Sequence, residues 1–207
     1  MTEKQSKSSQ KRESILEEAE RLFFSKGFDR TSIRDLAAAC GCTQGNIYNH
    51  FQSKEDILYM VIWTEMKRLI DMIQPLENDY NTSPVEQLRV FIERHVEHTL
   101  APPKGAMLHF DIEMRYLSPP RQAEIIQLRD TYDRILIKII RRGVDAGLFD
   151  KVDEKLFNCA IASMIVRARV WYSLGGRLSL PELSNGILKL FLNGLRSREK
   201  TLQEVES

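Results

Sequence analysis

The sequence predicts an all-α fold of about nine helices, split into a small amino-terminal head of three helices and a larger helical body. Three observations predict it. Apolar residues return every three or four positions through most of the 207 residues, the period of a helix with one buried side. Helix start and stop residues stand between those runs: Ser32 with Asp35, Ser83 with Pro84, Ser118-Pro119-Pro120, and the glycines Gly27, Gly41 and Gly147. No stretch alternates apolar and polar residues as a half-buried strand does.

Taken in order, residues 1–8 read as a flexible basic tail. Ile15, Leu16, Ala19, Leu22 and Phe23 then mark an amphipathic helix from Lys11 to Lys26, stopped by Gly27. The next helix opens at Ser32, where Asp35 three residues on completes a capping box. Ile33, Leu36, Ala37 and Cys40 follow at helical spacing, and Gly41 supplies a left-handed stop. A second short helix begins at once, with Thr43 as its cap and Ile47 and Phe51 as its buried stripe. Ser53 and Asp56 form another capping box, and a helix runs through Ile57, Val61, Met66, Leu69 and Ile73 to Pro75. Ser83-Pro84 starts a helix whose stripe is Val85, Leu88, Ile92, Val96 and Thr99, broken by 101–105. A short segment over 107–116 precedes Ser118-Pro119-Pro120 and a long helix to Ala146. After Gly147, Leu148 and Phe149 tuck back. Asp153 opens a helix to about Ser173, and Ser179 starts the last one, ending near Leu195.

The two short helices around Gly41 have the spacing of a helix-turn-helix. At about 100° per residue, Ile47 and Phe51 facing inward put Gly45 and Asn49 on the far side, flanked by Asn46, Tyr48 and Gln52. That face is uncharged but rich in hydrogen-bonding groups. Amide side chains can pair with adenine edges in the major groove, and the glycine lets the backbone approach. Lys54 at the next helix start, with His50 and Tyr48, suits an anion such as phosphate.

Composition neither demands nor forbids this reading. Hydrophobic residues at 43% and charged residues at 29% describe a globular chain, long enough to bury a core. A formal net charge of +1 gives no strong basic field. The basic groups are placed unevenly, however, with Lys4, Lys7, Lys11 and Arg12 at the amino end and Arg30, Arg34, His50 and Lys54 around the turn. No apolar run nears the roughly 20 residues that span a bilayer, and no signal-peptide core is seen, so a cytoplasmic location and no membrane partner are expected. Cys40, Cys42 and Cys159 form neither a disulfide framework nor a C-x-x-C pair. His95, His98 and His109 lack a matching Asp or Cys. No metal and no cofactor are expected. Nucleophile-elbow, P-loop, H-E-x-x-H and dinucleotide motifs are missing, so no enzyme is expected.

The run G-C-T-Q-G-N-I-Y-N-H-F-Q-S-K-E-D-I-L, preceded by I-L-E-E-A-E-R-L-F-F-S-K-G-F-D-R-T-S-I-R-D-L-A, resembles the amino-terminal domain of TetR-type transcriptional regulators. The resemblance implies a DNA-binding domain over 9–69, with the motif at 32–51, an effector-binding and dimerisation domain over 70–198 and a charged tail over 199–207. By position it implies that Thr31, Ser32, Tyr48, His50 and Lys54 hold phosphates and that Thr43, Gln44, Gly45, Asn46 and Asn49 meet bases. Gln44 stands where many members carry a basic or small residue, so the operator sequence is not transferable.

Both carboxyl-terminal helices are apolar on more than one side. In the last, Leu183, Ile187, Leu188, Leu190, Phe191, Leu192 and Leu195 cover a stripe about 200° wide. A second apolar face calls for a second copy of the chain. Val166, Val170, Ile187, Leu188, Phe191, Leu192 and Leu195 are its expected contacts, and the family resemblance implies a four-helix interface. A two-fold pair would read half-sites about 34–36 Å apart. The body also mixes aromatics with isolated polar groups, as ligand pockets do: Phe91, His95, His98, His109, Phe110, Tyr116, Tyr132, Arg167, Arg169, Trp171 and Tyr172. The segments R-Y-L-S-P-P-R-Q-A-E-I-I-Q-L-R-D-T-Y and W-Y-S-L-G-G-R-L-S are similar to a branch of the family that senses CoA thioesters. An acyl-CoA is therefore the effector the resemblance implies, with Arg121, Arg167, Arg169 or Arg177 at its phosphates. The expected function is a homodimeric repressor released from a palindromic operator by a small molecule, with the helix after Ser53 as the lever. The alternatives are a ligand-independent structural DNA-binding protein and an all-α enzyme acting on CoA esters.

Overall fold

The computed structural model describes the backbone of residues 3–101 and 114–195 and the side chains of 8–101 and 114–193. Eight α-helices appear among them: α1 (Glu3–Lys26), α2 (Ile33–Ala39), α3 (Gln44–Tyr48), α4 (Lys54–Ile73), α5 (Pro84–Leu100), α6 (Pro119–Asp145), α7 (Glu154–Ala168) and α8 (Leu180–Leu195). Two 3₁₀ turns, Gln74–Asn78 and Met114–Tyr116, complete the set, and no strand occurs among the described residues. About nine were expected for the whole chain, and most of the short segment expected over 107–116 lies outside the described residues.

Two boundaries differ from the sequence reading. Helix α1 begins at Glu3, because Glu3, Lys4 and Gln5 are good helix formers and nothing before Lys11 breaks the chain. Helix α7 ends at Ala168 rather than near Ser173. There the N–H of Val170 turns back to Arg167 O at 3.1 Å and the N–H groups of Trp171 and Tyr172 both reach Ala168 O, at 3.1 and 2.7 Å.

The described residues pack as two compact units. The first holds residues up to Arg68 together with 114–129, and the second holds Leu69 to 101 with Asp130 to 195. The chain crosses between them inside α4 and α6. Residues 114–129 thus pack with the first unit.

Ile15, Phe23, Leu36, Ile47, Phe51, Ile57, Leu58 and Ile62 form the core of the first unit, joined by Leu117 and Ile125 from the later segment. Burial of each large side chain contributes about 1.5–3 kcal/mol, enough to hold α2 and α3, which are too short to be stable alone. In the second unit α5, α6, α7 and α8 supply Leu88, Ile92, Val96, Ile135, Leu136, Ile139, Ile161, Ile165, Leu183 and Ile187, all buried. Phe149 folds back as its sequence suggested, its N–H bonding Gly143 O at 3.1 Å. A Cβ on Gly143 would lie 2.0 Å from the Phe149 ring, so the glycine makes room for that return. Among the described residues no helix is long and apolar enough to cross a membrane.

Candidate nucleic-acid interface

Helix α2 is fixed at both ends by local chemistry. Ser32 Oγ accepts from the Asp35 N–H at 3.1 Å while the Asp35 carboxylate accepts from the Ser32 N–H at 2.8 Å and from its hydroxyl at 2.6 Å. Those bonds from Ser32, with the Lys26 ammonium nearby, hold the Asp35 carboxyl down to about 2. At the other end Gly41 adopts φ +58°, and the N–H groups of Gly41 and Cys42 bond Ala38 O at 3.2 Å and Ala37 O at 2.9 Å. This is a Schellman stop, which a left-handed glycine permits. Lys11 Nζ donates to Cys40 O at 2.9 Å and adds a cation at the helix carboxyl end.

Helix α3 starts at once. Thr43 Oγ1 accepts from the Asn46 N–H at 3.3 Å. Ile47 and Phe51 are fully buried, and the Arg12 guanidinium lies 5.1 Å from the Phe51 ring. That anchoring turns Thr43, Gln44, Gly45, Asn46, Tyr48 and Asn49 to the surface, with His50 half-buried beside them. Tyr48 is 53% exposed and presents its ring on the same face. A Cβ at Gly45 would meet nothing nearer than Thr43 Oγ1 at 3.8 Å, so the fold itself does not require a glycine there. Exposed Arg30 and Arg34 supply cations near the face.

Three of the residues expected at phosphates are committed elsewhere. Thr31 is 1% exposed, and its hydroxyl donates to Gly27 O at 2.9 Å. Lys54 Nζ donates to Phe28 O at 2.9 Å and Thr31 O at 3.0 Å, and lies 4.2 Å from the Phe28 ring. Ser32 is exposed, but its hydroxyl is spent on the α2 cap. In this geometry the Thr31 and Lys54 side chains clip the α1–α2 loop instead of facing a ligand. The Lys54 bonds join residues 23 and 26 apart in the chain, which no local spacing reveals.

The candidate ligand residues are divided between the two units. Phe91, His95 and Tyr132 do pack together: Tyr132 Oη lies 2.9 Å from His95 Nδ1, and the Phe91 and Tyr132 rings are 5.2 Å apart. His98 is buried on the next turn of α5. Tyr116 instead lies in the first unit, 4.8 Å from the Phe28 ring, and Arg121 pairs with Asp56 at 2.7 Å. Arg167, Trp171 and Arg177 are on the surface, while Arg169 and Tyr172 are half-buried. Phe110 and His109 fall outside the described residues.

Burial, reinforced by His98 and Arg169, pushes the His95 imidazole down to about 3, and burial beside Asp133 pushes the Tyr132 hydroxyl well up. Both stay neutral at working pH. His95 then loses stability on acidification, because the unfolded chain takes up a proton near 6.5 that the fold refuses until about 3. Each pH unit below 6.5 should cost about 1.4 kcal/mol. Denaturant unfolding from pH 7.5 to 5 should show that slope, and His95→Phe should flatten it.

The predicted dimer residues also separate. Ile187, Leu188 and Phe191 are buried within the protomer, and the Phe191 ring meets that of Phe157 at 4.9 Å. Val166 and Leu192 are half-buried, and the Leu195 side chain lies outside the described set. Beyond Glu154 the open apolar side chains include Leu156, Met164, Val170, Trp171, Leu174 and Leu190, several of them more than half exposed. Leu156, Cys159, Ala160, Ser163, Met164 and Arg167 make a continuous exposed stripe on α7, opposite buried Asn158, Ile161 and Ile165.

Comparison with known proteins bears on both units. A family profile described as "Bacterial regulatory proteins, tetR family" matches residues 15–59, and one described as "Tetracyclin repressor-like, C-terminal domain" matches residues 81–195. The chain is 28% identical over 190 residues to the HTH-type transcriptional repressor KstR2 of Mycolicibacterium smegmatis, covering 89% of this chain and 90% of that one. It is 24% identical over 186 residues to the fatty acid metabolism regulator protein of Bacillus subtilis, covering 89% and 95%. Among solved structures it is similar to the TetR family regulator PfmR of Thermus thermophilus, with a TM-score of 0.73 and 33% identity over 88% of this chain and 99% of that chain. AibR in complex with isovaleryl coenzyme A and operator DNA shares the fold, with a TM-score of 0.78 and 23% identity over 87% and 97%.

Proposed function

The chain belongs to the TetR family of DNA-binding transcriptional repressors, and on that premise we propose that it works as a homodimer released from a palindromic operator by a small-molecule effector. The observation that carries the DNA half is the α3 surface. Gln44, Asn46 and Asn49 stand exposed around a glycine that the fold does not need, on a helix pinned from behind by Ile47 and Phe51. Amides beside an open backbone position suit base edges in a groove, while Tyr48, His50, Arg30 and Arg34 are placed for phosphates.

The effector half rests on the Phe91, His95 and Tyr132 cluster in the second unit. Its groups are aromatic and neutral, which suits the uncharged part of a ligand, and half-buried Arg169 lies close enough to influence His95. An acyl chain ending in an anionic carrier has that polarity, and AibR holds isovaleryl coenzyme A. An acyl-CoA is accordingly the effector we propose, acting by a coupling that lowers operator affinity as operator lowers effector affinity. The α7 stripe with Leu190 is the proposed contact of the two copies, and the cytoplasm the proposed location.

Competition between duplexes from the chain's own promoter region and random duplexes tests the DNA half. Preference for the promoter duplex, weakened when an acyl-CoA from a panel binds in calorimetry, is the expected result. Equal affinity for all duplexes, governed only by salt, would instead favour a ligand-independent structural protein. The relatives' names point to a regulator rather than an enzyme.

A further inference from the structure

We infer that Tyr116, more than sixty residues beyond the reading helix, is a positioning residue for DNA recognition. The inference rests on the α3 reading above. The α2–α3 pair is bracketed in sequence by the α1–α2 loop, residues 27–31, and by the start of α4. Both brackets must hold still for α3 to sit in one place.

Two side chains tie them together. Lys54, the first residue of α4, binds the loop carbonyls of Phe28 and Thr31. Tyr116 grips the same loop from another part of the chain. Its ring lies 4.8 Å from Phe28, and its hydroxyl donates to Asp29 Oδ2 at 2.5 Å while accepting from Arg115 Nη2 at 2.7 Å. The segment that carries Tyr116 is in turn held by the first turn of α4. The Ser118 N–H donates to Glu55 Oε1 at 2.9 Å, and Arg121 Nη2 donates to Asp56 Oδ1 at 2.7 Å. Phe28 is thus fixed by a cation on α4 and by a tyrosine that α4 anchors.

The Tyr116 to Asp29 bond is solvent-exposed, so its net contribution to folding is small. Its value lies in reducing play. Base readout needs side chains held to within about 0.5 Å, whereas attraction to phosphates tolerates movement. A head that must be ordered on arrival binds its target less tightly.

The test uses the full chain and the duplex that wild-type protein enriches most from a random pool. Tyr116→Phe keeps the ring on Phe28 and removes the hydroxyl. It should weaken binding to the selected duplex about threefold to tenfold, leave binding to an unselected duplex and its salt slope unchanged, and leave Tm within about 2 °C. Asp29→Ala should give a comparable loss, and the double variant should lose less than the two single losses combined, because both variants remove the Tyr116–Asp29 bond. Unchanged affinity for the selected duplex overturns the inference, as does an equal loss on both duplexes or a loss that tracks a fall in Tm. Failure of the wild-type chain to enrich any duplex overturns the α3 reading itself, and the inference with it.

Discussion

Gly45→Glu is expected to abolish operator recognition, by more than about 100-fold, with no loss of thermal stability. The separation of the two effects follows from geometry. A side chain at Gly45 has open space, its Cβ no closer than 3.8 Å to Thr43 Oγ1, and the helix would gain rather than lose from replacing a glycine. The fold should therefore accept glutamate. A groove should not, because the added carboxylate occupies the line of backbone approach and meets the phosphates with like charge. Displaced base contacts cost about 1–3 kcal/mol each, and a two-fold assembly suffers the loss twice. Gel shift with the selected duplex, paired with circular dichroism melting, reads both quantities. A variant that melts early, or one that binds normally, would remove α3 as the reading helix.

The second large effect concerns assembly. Met164→Glu combined with Leu190→Glu should give a folded monomer that no longer holds the full operator, again a loss of more than about 100-fold. Both side chains are open in the protomer, Leu190 at 64% exposure, so glutamate there costs the single chain little. At an apolar contact between two copies each would bury an unpaired carboxylate. Ile187→Glu provides the contrast. Ile187 is 3% exposed inside its own protomer, and a charge there should unfold the second unit rather than split a dimer. Sedimentation for mass and circular dichroism for helix content distinguish the two outcomes. A double variant that remains dimeric would place the interface elsewhere.

How legible these features were depended on how local their causes were. The Ser32 and Asp35 capping box, the Gly41 stop and the inward pair Ile47 and Phe51 involve residues a few positions apart, and each is seen where spacing placed it. Helical period also identified the apolar residues of α8. It could not say which of them the chain covers by itself, because Ile187, Leu188 and Phe191 share one broad stripe with Leu190 and only packing against other helices divides them. Thr31 and Lys54 differed from expectation for a similar reason. Their partners are backbone carbonyls brought near by the fold, and a carbonyl leaves no mark in a sequence. Tyr116 is the extreme case. Its aromatic character suited a ligand pocket, but its hydroxyl binds a residue 87 positions earlier in the first unit. The outward face of α3 was readable because turning two apolar residues inward determines what remains outside.

The most direct test is selection of duplex DNA from a random pool by the 207-residue chain at physiological salt. A two-fold head-to-head reading by α3 predicts enrichment of an inverted repeat, its half-sites about one helical turn or a multiple apart, and loss of that enrichment when the Gly45→Glu variant is used. Enrichment of a single unrepeated site, no enrichment at all, or the same repeat selected by Gly45→Glu would contradict it.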